Sequence, residues 1–279
     1  MRRFAAVLAL LAAGAATAAG EPARRIVTLA PNLAELVWTA GAGDALVGTV
    51  EWSDWPEAVR ALPRVGNAFR VDLEALASLE PDLVLAWGGG NPDHLIRRLE
   101  ADGYRVEVLA PRRLEDIGRH IAVIGRLAGT EPAARRAAGR YRATLDALAA
   151  AQAGKPPLRV FFQASWRPLY TVGSGQLIGE VIALCGGVNV FADLGELAPS
   201  VSVEAVLASD PQAILTASEE RGGLDSWQRW PELAAVRYHN LFAIPGDFIA
   251  RPAPRILEGA RRVCAALDDA RSRLPLNPG

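Results

Sequence analysis

VDLEALASLEPDLVL, from Val71 to Leu85, returns 130 positions later as VSVEAVLASDPQAIL, from Val201 to Leu215. Each copy predicts a short helix that leads into a buried strand, because helical spacing gives way to an apolar run after Pro81 and after Pro211. The element occurs once in each half of the chain. The repeat therefore predicts two halves of similar fold.

Both copies carry a glutamate near the predicted start of the helix. Asp72 and Ser202 precede these glutamates by two residues and are expected to cap the helices. Glu74 and Glu204 would then lie in the first turn, where the helix dipole favours a carboxylate. Two interpretations follow: the acids are helix-start residues of a duplicated fold, or they form a matched pair of exposed carboxylates that contacts two equivalent basic sites on a symmetric partner.

Short apolar runs alternate with helical patterns along the rest of the chain. Continuous apolar strands between helices are typical of parallel sheets covered on both faces. The predicted strands, besides those of the repeat at 83–86 and 213–216, are 26–29, 46–50, 106–109, 159–162 and 241–244.

A different segment separates the halves. Helix formers dominate from Thr130, a predicted N-cap, to Gln152, and the pattern stops at Gly154-Lys155-Pro156-Pro157. A helix of about 22 residues spans about 33 Å, enough to join two lobes, although it could also be a surface helix of one lobe. We predict an α/β fold of two Rossmann-like lobes with mainly parallel sheets joined by one long backbone helix. The predicted boundaries are 24–126 for the N-terminal lobe, 127–154 for the connecting helix and 155–279 for the C-terminal lobe.

The N-terminus has the pattern of a secretory signal peptide. Met1-Arg2-Arg3 is basic, Phe4 to Ala16 is an uncharged apolar run, and small residues follow to Gly20. The apolar run is short for a membrane span, although a retained anchor is the alternative. We assign residues 1–19 to the signal peptide and expect an exported mature protein.

Charge and cysteine content narrow the class of protein further. The chain has 30 Lys and Arg against 31 Asp and Glu, which argues against a broad basic surface for nucleic acid. Its two cysteines, Cys185 and Cys264, both lie in the exported part. An oxidising compartment favours a disulfide, and two buried free thiols are the alternative.

Several aromatic and polar residues follow predicted strands. Ligands of open parallel α/β sheets bind beyond the carboxyl ends of the strands, so this pattern indicates an aromatic-lined cleft whose polar residues contact amides or carboxylates. Packing of single rings and a local surface ion pair are the alternatives. The candidate ligand-binding residues are Trp52, Phe69, Trp87, Trp166, Asp247, Phe248 and Arg251. Trp55 also follows a strand, whereas Trp38, Trp227 and Trp230 are assigned to packing.

No pattern of catalysis or metal binding stands out. Gly88-Gly89-Gly90 follows a strand but lacks the Lys-Ser or Lys-Thr of a phosphate-binding loop. The three histidines are scattered, and there is no G-x-S-x-G elbow. We therefore predict no catalytic residue, no metal site and no cofactor. A secreted α/β enzyme that uses the same cleft is the alternative of another class.

Five stretches resemble the helical-backbone periplasmic binding proteins of ABC importers for cobalamin, haem and iron-siderophores. They are RIVTLAPNLAEL (25–36), WSDWP (52–56), LEPDLVLAW (79–87), CGGVNVF (185–191) and RPAPRIL (251–257). The resemblance covers roughly residues 24 to 269, and within the family the cobalamin binders are the most similar. It implies a periplasmic location, a protein that we expect to be monomeric, and the pairing of Cys185 with Cys264.

The resemblance also implies roles for the candidate residues. Glu74 and Glu204 would dock onto arginines of a permease dimer in the inner membrane. Trp52 and Trp87 would lie against a corrin ring, with Asp247 and Arg251 near its amide side chains. The implied ligand is cobalamin or a related corrinoid, carried as cargo; haem or a ferric siderophore is the alternative.

The sequence departs from the family pattern in two loops. Phe69 stands in the loop where cobalamin binders carry a Trp and haem binders an iron-ligating Tyr, which argues against haem. The loop Gly195–Ser200 lacks the aromatic residue expected before Glu204. Tyr170 remains a weaker candidate for an iron ligand.

Overall fold

A computed structural model describes residues 21–217 and 222–275. The predicted signal peptide, residues 1–19, lies outside this part of the chain. No helix in the described ranges is both long and apolar enough to cross a membrane.

The first half of the chain forms a parallel four-stranded sheet. Its strands are β1 (Ile26–Thr28), β2 (Leu46–Gly48), β3 (Leu83–Trp87) and β4 (Val106–Leu109), in the order β2-β1-β3-β4. Its α-helices are α1 (Pro31–Thr39), α2 (Leu73–Ser78), α3 (Asp93–Ala101) and α4 (Leu114–Leu127). Two 3₁₀ helices, Gly43–Ala45 and Glu57–Ala61, flank β2.

The second half repeats this plan. Its strands are β5 (Leu158–Gln163), β6 (Ser165–Trp166), β7 (Leu169–Tyr170), β8 (Gly187–Asn189), β9 (Ala213–Thr216) and β10 (Leu241–Ala243). The parallel sheet has the order β10-β9-β5-β8, and β6 pairs with β7 as an antiparallel hairpin. Its helices are α6 (Leu177–Leu184), α7 (Val203–Ser209), α8 (Gly222–Asp225), the 3₁₀ helix Ser226–Arg229, α9 (Ala234–Arg237), α10 (Gly246–Ile249) and α11 (Ile256–Arg273).

Both faces of each sheet are covered. Successive side chains of a strand point to opposite faces. Along β3, Leu83 and Leu85 join one buried cluster and Val84 joins another. Ala213 and Ile214 of β9 divide between two clusters in the same way. The predicted α/β fold with mainly parallel sheets is therefore confirmed.

Helix α5 (Glu131–Gln152) lies between the two sheets in sequence, within the segment 127–154 predicted to connect them. Its small residues let it approach α4 closely, and a side chain at Gly125 would collide with Ala134. The Tyr141 hydroxyl donates to the Leu114 carbonyl oxygen at 2.8 Å. Thr130 does not cap the helix with its side chain, because its hydroxyl donates instead to the carbonyl oxygen of Ala40 at 2.8 Å.

The segment directly after α5 is fixed to α11. Lys155 Nζ donates to Asp268 at 2.8 Å, and Arg271 donates to Asp268 and to the Cys185 carbonyl oxygen at 2.8 and 2.7 Å. Cys185 and Cys264 form a disulfide beside this network, which confirms the predicted bridge and makes the free-thiol alternative wrong.

The repeated element folds as the sequence predicts. The Asp72 carboxylate accepts the backbone N–H groups of Glu74 and Ala75, each at 3.0 Å. The Ser202 hydroxyl accepts the N–H of Ala205 at 3.1 Å. Both caps are thus confirmed.

The assignment of Trp38 to the core is wrong. Residues 32–37 of α1 are all buried, and Trp38 follows them in the last turn of the helix. The side chain is 40% exposed and its ring lies over Gly43.

Candidate ligand-binding cleft

The loop after β2 and the segment after β10 meet across the boundary between the two lobes. Both follow the carboxyl end of a parallel strand, where ligands of such sheets bind. The contacts join Asp54 to Arg251 and Glu35 to Arg255. These two ionic contacts join the lobes and mark the candidate cleft between them.

The first contact has three members, Asp54, Asp247 and Arg251, which we call the outer triad. Arg251 Nη1 donates to Asp54 Oδ1 at 2.5 Å, and its Nη2 lies 3.0 Å from Asp247 Oδ1. Burial raises the pKa of the Asp54 carboxyl, but the hydrogen bond and charge of Arg251 outweigh it and leave that pKa below its ordinary value. Asp54 is therefore an ionised partner of Arg251 at neutral pH.

The second contact, Glu35 with Arg255, is the inner pair. Arg255 Nε donates to Glu35 Oε2 at 2.9 Å, and the backbone N–H of Arg255 donates to Oε1 at 3.1 Å. Arg255 is the N-cap of α11 and has no side-chain cap of its own, so a carboxylate of the first lobe caps a helix of the second. The Glu35 side chain is only 4% exposed. Burial raises its pKa despite the opposing effect of Arg255.

Aromatic rings from both lobes flank the inner pair. The Arg255 guanidinium lies 4.8 Å from the centre of the Trp55 ring and 5.7 Å from that of Phe248. Such cation–π contacts favour a fixed guanidinium. The sequence placed Trp55 in this loop but did not reveal its contact with Arg255.

Trp52 and Phe69 extend from the first lobe with most of their surface in solvent. They are 79% and 73% exposed. Trp52 has a positive φ of 65°, a strained conformation for a non-glycine residue. The loop beneath it is anchored by the Ser53 hydroxyl, which accepts from Thr49 at 2.8 Å.

Asn91 holds the neighbouring loops together. Its Oδ1 accepts the backbone N–H of Trp87 at 2.6 Å, and its Nδ2 donates to the carbonyl oxygens of Leu29 and Ala68 at 2.8 and 2.7 Å. It thus ties the ends of β1 and β3 to the loop that presents Phe69. The sequence showed Asn91 only as the residue after three glycines and gave no sign of this role.

Trp166 lies in a different environment. Its ring packs edge-on against the buried Trp227 ring with a centroid distance of 5.4 Å, and the Trp230 ring lies 5.5 Å from that of Trp227. Packing of Trp227 and Trp230 is confirmed. Trp166 is half-buried in this cluster, and its contact with a ligand stays a prediction.

The second lobe exposes apolar residues that the sequence prediction did not include. Leu194 and Leu197 are 37% and 52% exposed in the loop before α7. Tyr170, which is 38% exposed, pairs with Ser200 of the same loop through a β-bridge. These side chains supply apolar surface where an aromatic residue was expected.

Glu74 and Glu204 are both exposed in the first turns of α2 and α7. A hydrogen bond from its own backbone and one from Ser202 lower the pKa of Glu204. Both positions are therefore open to a partner.

Within residues 21–217 and 222–275, no group of three or more His, Cys, Asp or Glu side chains is placed to hold a metal ion. A cavity of about 980 Å³ lies beside β10 and α11 and is lined by residues such as Phe242 and Arg262. None of the predicted ligand-binding residues lines this cavity.

A family model described as periplasmic binding protein matches residues 26–248. The chain belongs to this family of periplasmic binding proteins. The family and its relatives are binding proteins, which confirms the prediction that the chain is not an enzyme.

Individual relatives give a finer comparison. The chain is 35% identical over 253 residues to the vitamin B12-binding protein of Vibrio cholerae, covering 90% of this chain and 92% of the relative. The crystal structure of the periplasmic vitamin B12 binding protein BtuF of Vibrio cholerae superposes with a TM-score of 0.85, covering 90% of this chain and 98% of that one at 35% identity. A periplasmic heme binding protein from Pseudomonas aeruginosa matches with a TM-score of 0.76 and 27% identity, covering 91% and 95% of the two chains.

Proposed function

We propose that this protein is the substrate-binding subunit of an ABC importer and captures cobalamin or a related corrinoid between its two lobes. The observation that carries the proposal is the outer triad, which combines donor and acceptor groups across the lobe boundary beside exposed rings. Similarity to vitamin B12-binding proteins supports the same ligand class.

The chemistry of the cleft suits a large amide-bearing macrocycle. Exposed Trp and Phe rings bury large apolar areas against a flat ligand. A primary amide accepts hydrogen bonds through its oxygen and donates them through its nitrogen, so Arg251 would donate to the oxygen and Asp247 would accept from the nitrogen. The proposed ligand-binding set remains Trp52, Phe69, Trp87, Trp166, Asp247, Phe248 and Arg251.

A haem or ferric-siderophore ligand is the second candidate. The exposed Tyr170 favours it, because a phenolate oxygen can ligate iron, and haem-binding relatives share the fold. The two candidates differ in charge: a haem carries carboxylates, whereas a corrinoid carries amides.

Titration of the mature protein distinguishes these ligands. We expect cyanocobalamin or dicyanocobinamide to bind one to one with a Kd below about 1 μM, and haemin to bind at least about tenfold more weakly. Calorimetry with absorbance spectra measures both. If haemin binds tightly and neither corrinoid binds, the corrinoid assignment is wrong and the binding-protein class stands.

Replacing Trp52 with Ala tests the aromatic wall. Because this exposed ring would become buried against the ligand, we expect corrinoid affinity to fall about 10- to 30-fold, as for an aromatic hot spot. Trp38→Ala is a matched control, since Trp38 is also exposed but its ring lies over Gly43, before β2, whereas Trp52 follows β2. Equal affinities of the Trp52 variant and the unmodified protein would remove Trp52 from the site.

We also propose that Glu74 and Glu204 dock onto a permease dimer. Their exposure and their equivalent positions in the repeated element support contact with two symmetric basic sites.

The double variant Glu74→Ala/Glu204→Ala is expected to bind ligand with an affinity within about twofold of that of the unmodified protein. Uptake should fall by about tenfold or more, because charges at the edge of a protein–protein interface speed the association of the two partners and fix their relative position. Uptake of radiolabelled cyanocobalamin in reconstituted proteoliposomes measures it. Glu100→Ala/Glu232→Ala removes one exposed acid from each lobe at other positions and serves as the control. Normal uptake by the docking variant would contradict the docking role.

A further inference from the structure

Arg251 is held between carboxylates of both lobes. Asp54 reaches it from the first lobe at 2.5 Å and Asp247 from the second at 3.0 Å. Two carboxylates therefore share one guanidinium, and the outer triad carries one net negative charge.

The backbone at Asp54 is firmly placed. Ser53 is buried, and its carbonyl oxygen accepts from Arg64 Nη2 at 2.9 Å. The Asp54 carbonyl oxygen accepts from Arg60 Nε at 3.1 Å. The guanidinium groups of Arg60 and Arg64 thus bind backbone oxygens of the loop, while the Asp54 carboxylate, 44% exposed, faces Arg251.

The inner pair has no net charge of its own, and each arginine also acts on the other contact: Arg255 lowers the pKa of Asp54, and Arg251 lowers that of Glu35. Glu35 and Arg255 neutralise each other at a more buried level of the lobe boundary. Asp54 and Asp247 are the two carboxylates in direct contact with Arg251, so a ligand group that binds Arg251 meets them first.

We propose that Asp54 is a specificity-determining residue of the cleft, which makes Arg251 accept amide-bearing ligands and reject ligands that present a carboxylate at the same place. The inference rests on the proposed function in that it assumes a ligand bound at Arg251. No ligand-binding role followed for Asp54 from the sequence.

The selectivity follows from hydrogen-bonding capacity. A primary amide offers two donors and one acceptor, so it can donate to Asp54 or Asp247 while it accepts from Arg251. A carboxylate only accepts, so it could bind the remaining N–H groups of Arg251 but would have no hydrogen to donate to Asp54 or Asp247 and would lie beside two like charges. Repulsion of this kind is one of the two ways in which a site discriminates against a close analogue.

The test compares ligands that differ in a single group. Cyanocobalamin is titrated beside its monocarboxylic derivatives, in each of which one peripheral amide is hydrolysed to a carboxylate. We expect the unmodified protein to prefer the parent over at least one derivative by about tenfold, equivalent to about 1.4 kcal/mol. Asp54→Asn should reduce that preference to about twofold or less, and Asp54→Glu should restore it.

The control variant is Glu51→Gln, an exposed acid in the same loop. It removes the same charge but leaves the triad intact, so the preference should stay unchanged. Equal preferences in the unmodified protein and Asp54→Asn would overturn the proposal, as would a loss of preference in Glu51→Gln, which would indicate an effect of net charge alone.

Haemin separates failure of this inference from failure of the proposed function. Its two propionates are carboxylates, so its affinity should rise about tenfold in Asp54→Asn. If no corrinoid binds but haemin affinity rises in this way, the corrinoid function fails and the role of Asp54 stands. If corrinoids bind but neither haemin affinity nor the amide preference changes, the function stands and the role of Asp54 fails.

Discussion

Replacing Arg255 with Met is expected to lower the free energy of unfolding by about 3 to 5 kcal/mol at pH 7, because it leaves a buried carboxylate without its counter-charge. Glu35 is 4% exposed and depends on Arg255 for its ionic partner. Methionine keeps much of the volume of the aliphatic part of arginine, so the lower free energy of unfolding would come from the missing charge and not from a cavity. Urea unfolding followed by circular dichroism measures it.

The deficit should depend on pH. The pKa of Glu35 is already raised above its ordinary value of 4.5 by burial, against the hydrogen bond and charge of Arg255. Without Arg255 that pKa rises further. A carboxyl whose pKa is higher in the folded state favours folding when protonated, and this contribution is lost as pH rises. The deficit of Arg255→Met should therefore be largest near neutral pH and shrink as pH falls towards 4.5.

Two variants keep this prediction specific. Glu35→Leu/Arg255→Met removes both charges and should recover to within about 2 kcal/mol of the unmodified protein, since apolar replacement of a whole buried pair is often neutral. Arg261→Ala breaks an exposed pair with Glu258 and should cost less than about 1 kcal/mol. A deficit of Arg255→Met that is the same at all pH values would show that lost packing, not the uncompensated carboxylate, is responsible.

Removal of the disulfide is the second large effect. Cys185 and Cys264 are separated by 79 positions, and closing a loop of this length restricts the unfolded chain by about 4 to 5 kcal/mol in the chain-entropy model. We expect Cys185→Ala/Cys264→Ala to be about 2 to 5 kcal/mol less stable in urea. The position of the bridge, between the end of α6 and the middle of α11, makes the second lobe the part affected.

Reductant supplies the control for this effect. Dithiothreitol should bring the unmodified protein to nearly the stability of the double variant and leave the double variant unchanged. If the oxidised and reduced forms of the unmodified protein unfold at the same urea concentration, the bridge does not stabilise the fold.

The sequence predicted the elements that carry a strong local signal. β3 and β9 are continuous apolar runs that begin two residues after a proline, and α5 is a long run of good helix formers. The predicted bounds of all three elements agree with the structure to within a residue or two. β8 was missed because Gly187 and Asn189 leave it one apolar residue. The hairpin of β6 and β7 was missed because two-residue strands have no periodicity.

The site was predictable only in part. Positions at strand ends identified Trp52, Trp87 and Asp247 as candidates, since the direction of a parallel strand fixes which of its ends faces the cleft. The contacts of Asp54 with Arg251 and of Glu35 with Arg255 join residues 197 and 220 positions apart. No local pattern records such a pairing, which exists only once both lobes are folded against each other.

Each described sheet is drawn from one uninterrupted half of the chain, the first before α5 and the second after it. A recombination event with a crossover inside α5 would therefore transfer one wall of the cleft intact and leave the other untouched. Such a chimera would remain viable only where the incoming half still supplies the carboxylate or the arginine that its new neighbour requires. The ionic contacts between the lobes thus restrict which halves can be combined. Within that restriction, recombination can change the ligand-binding residues of one lobe while those of the other lobe stay the same.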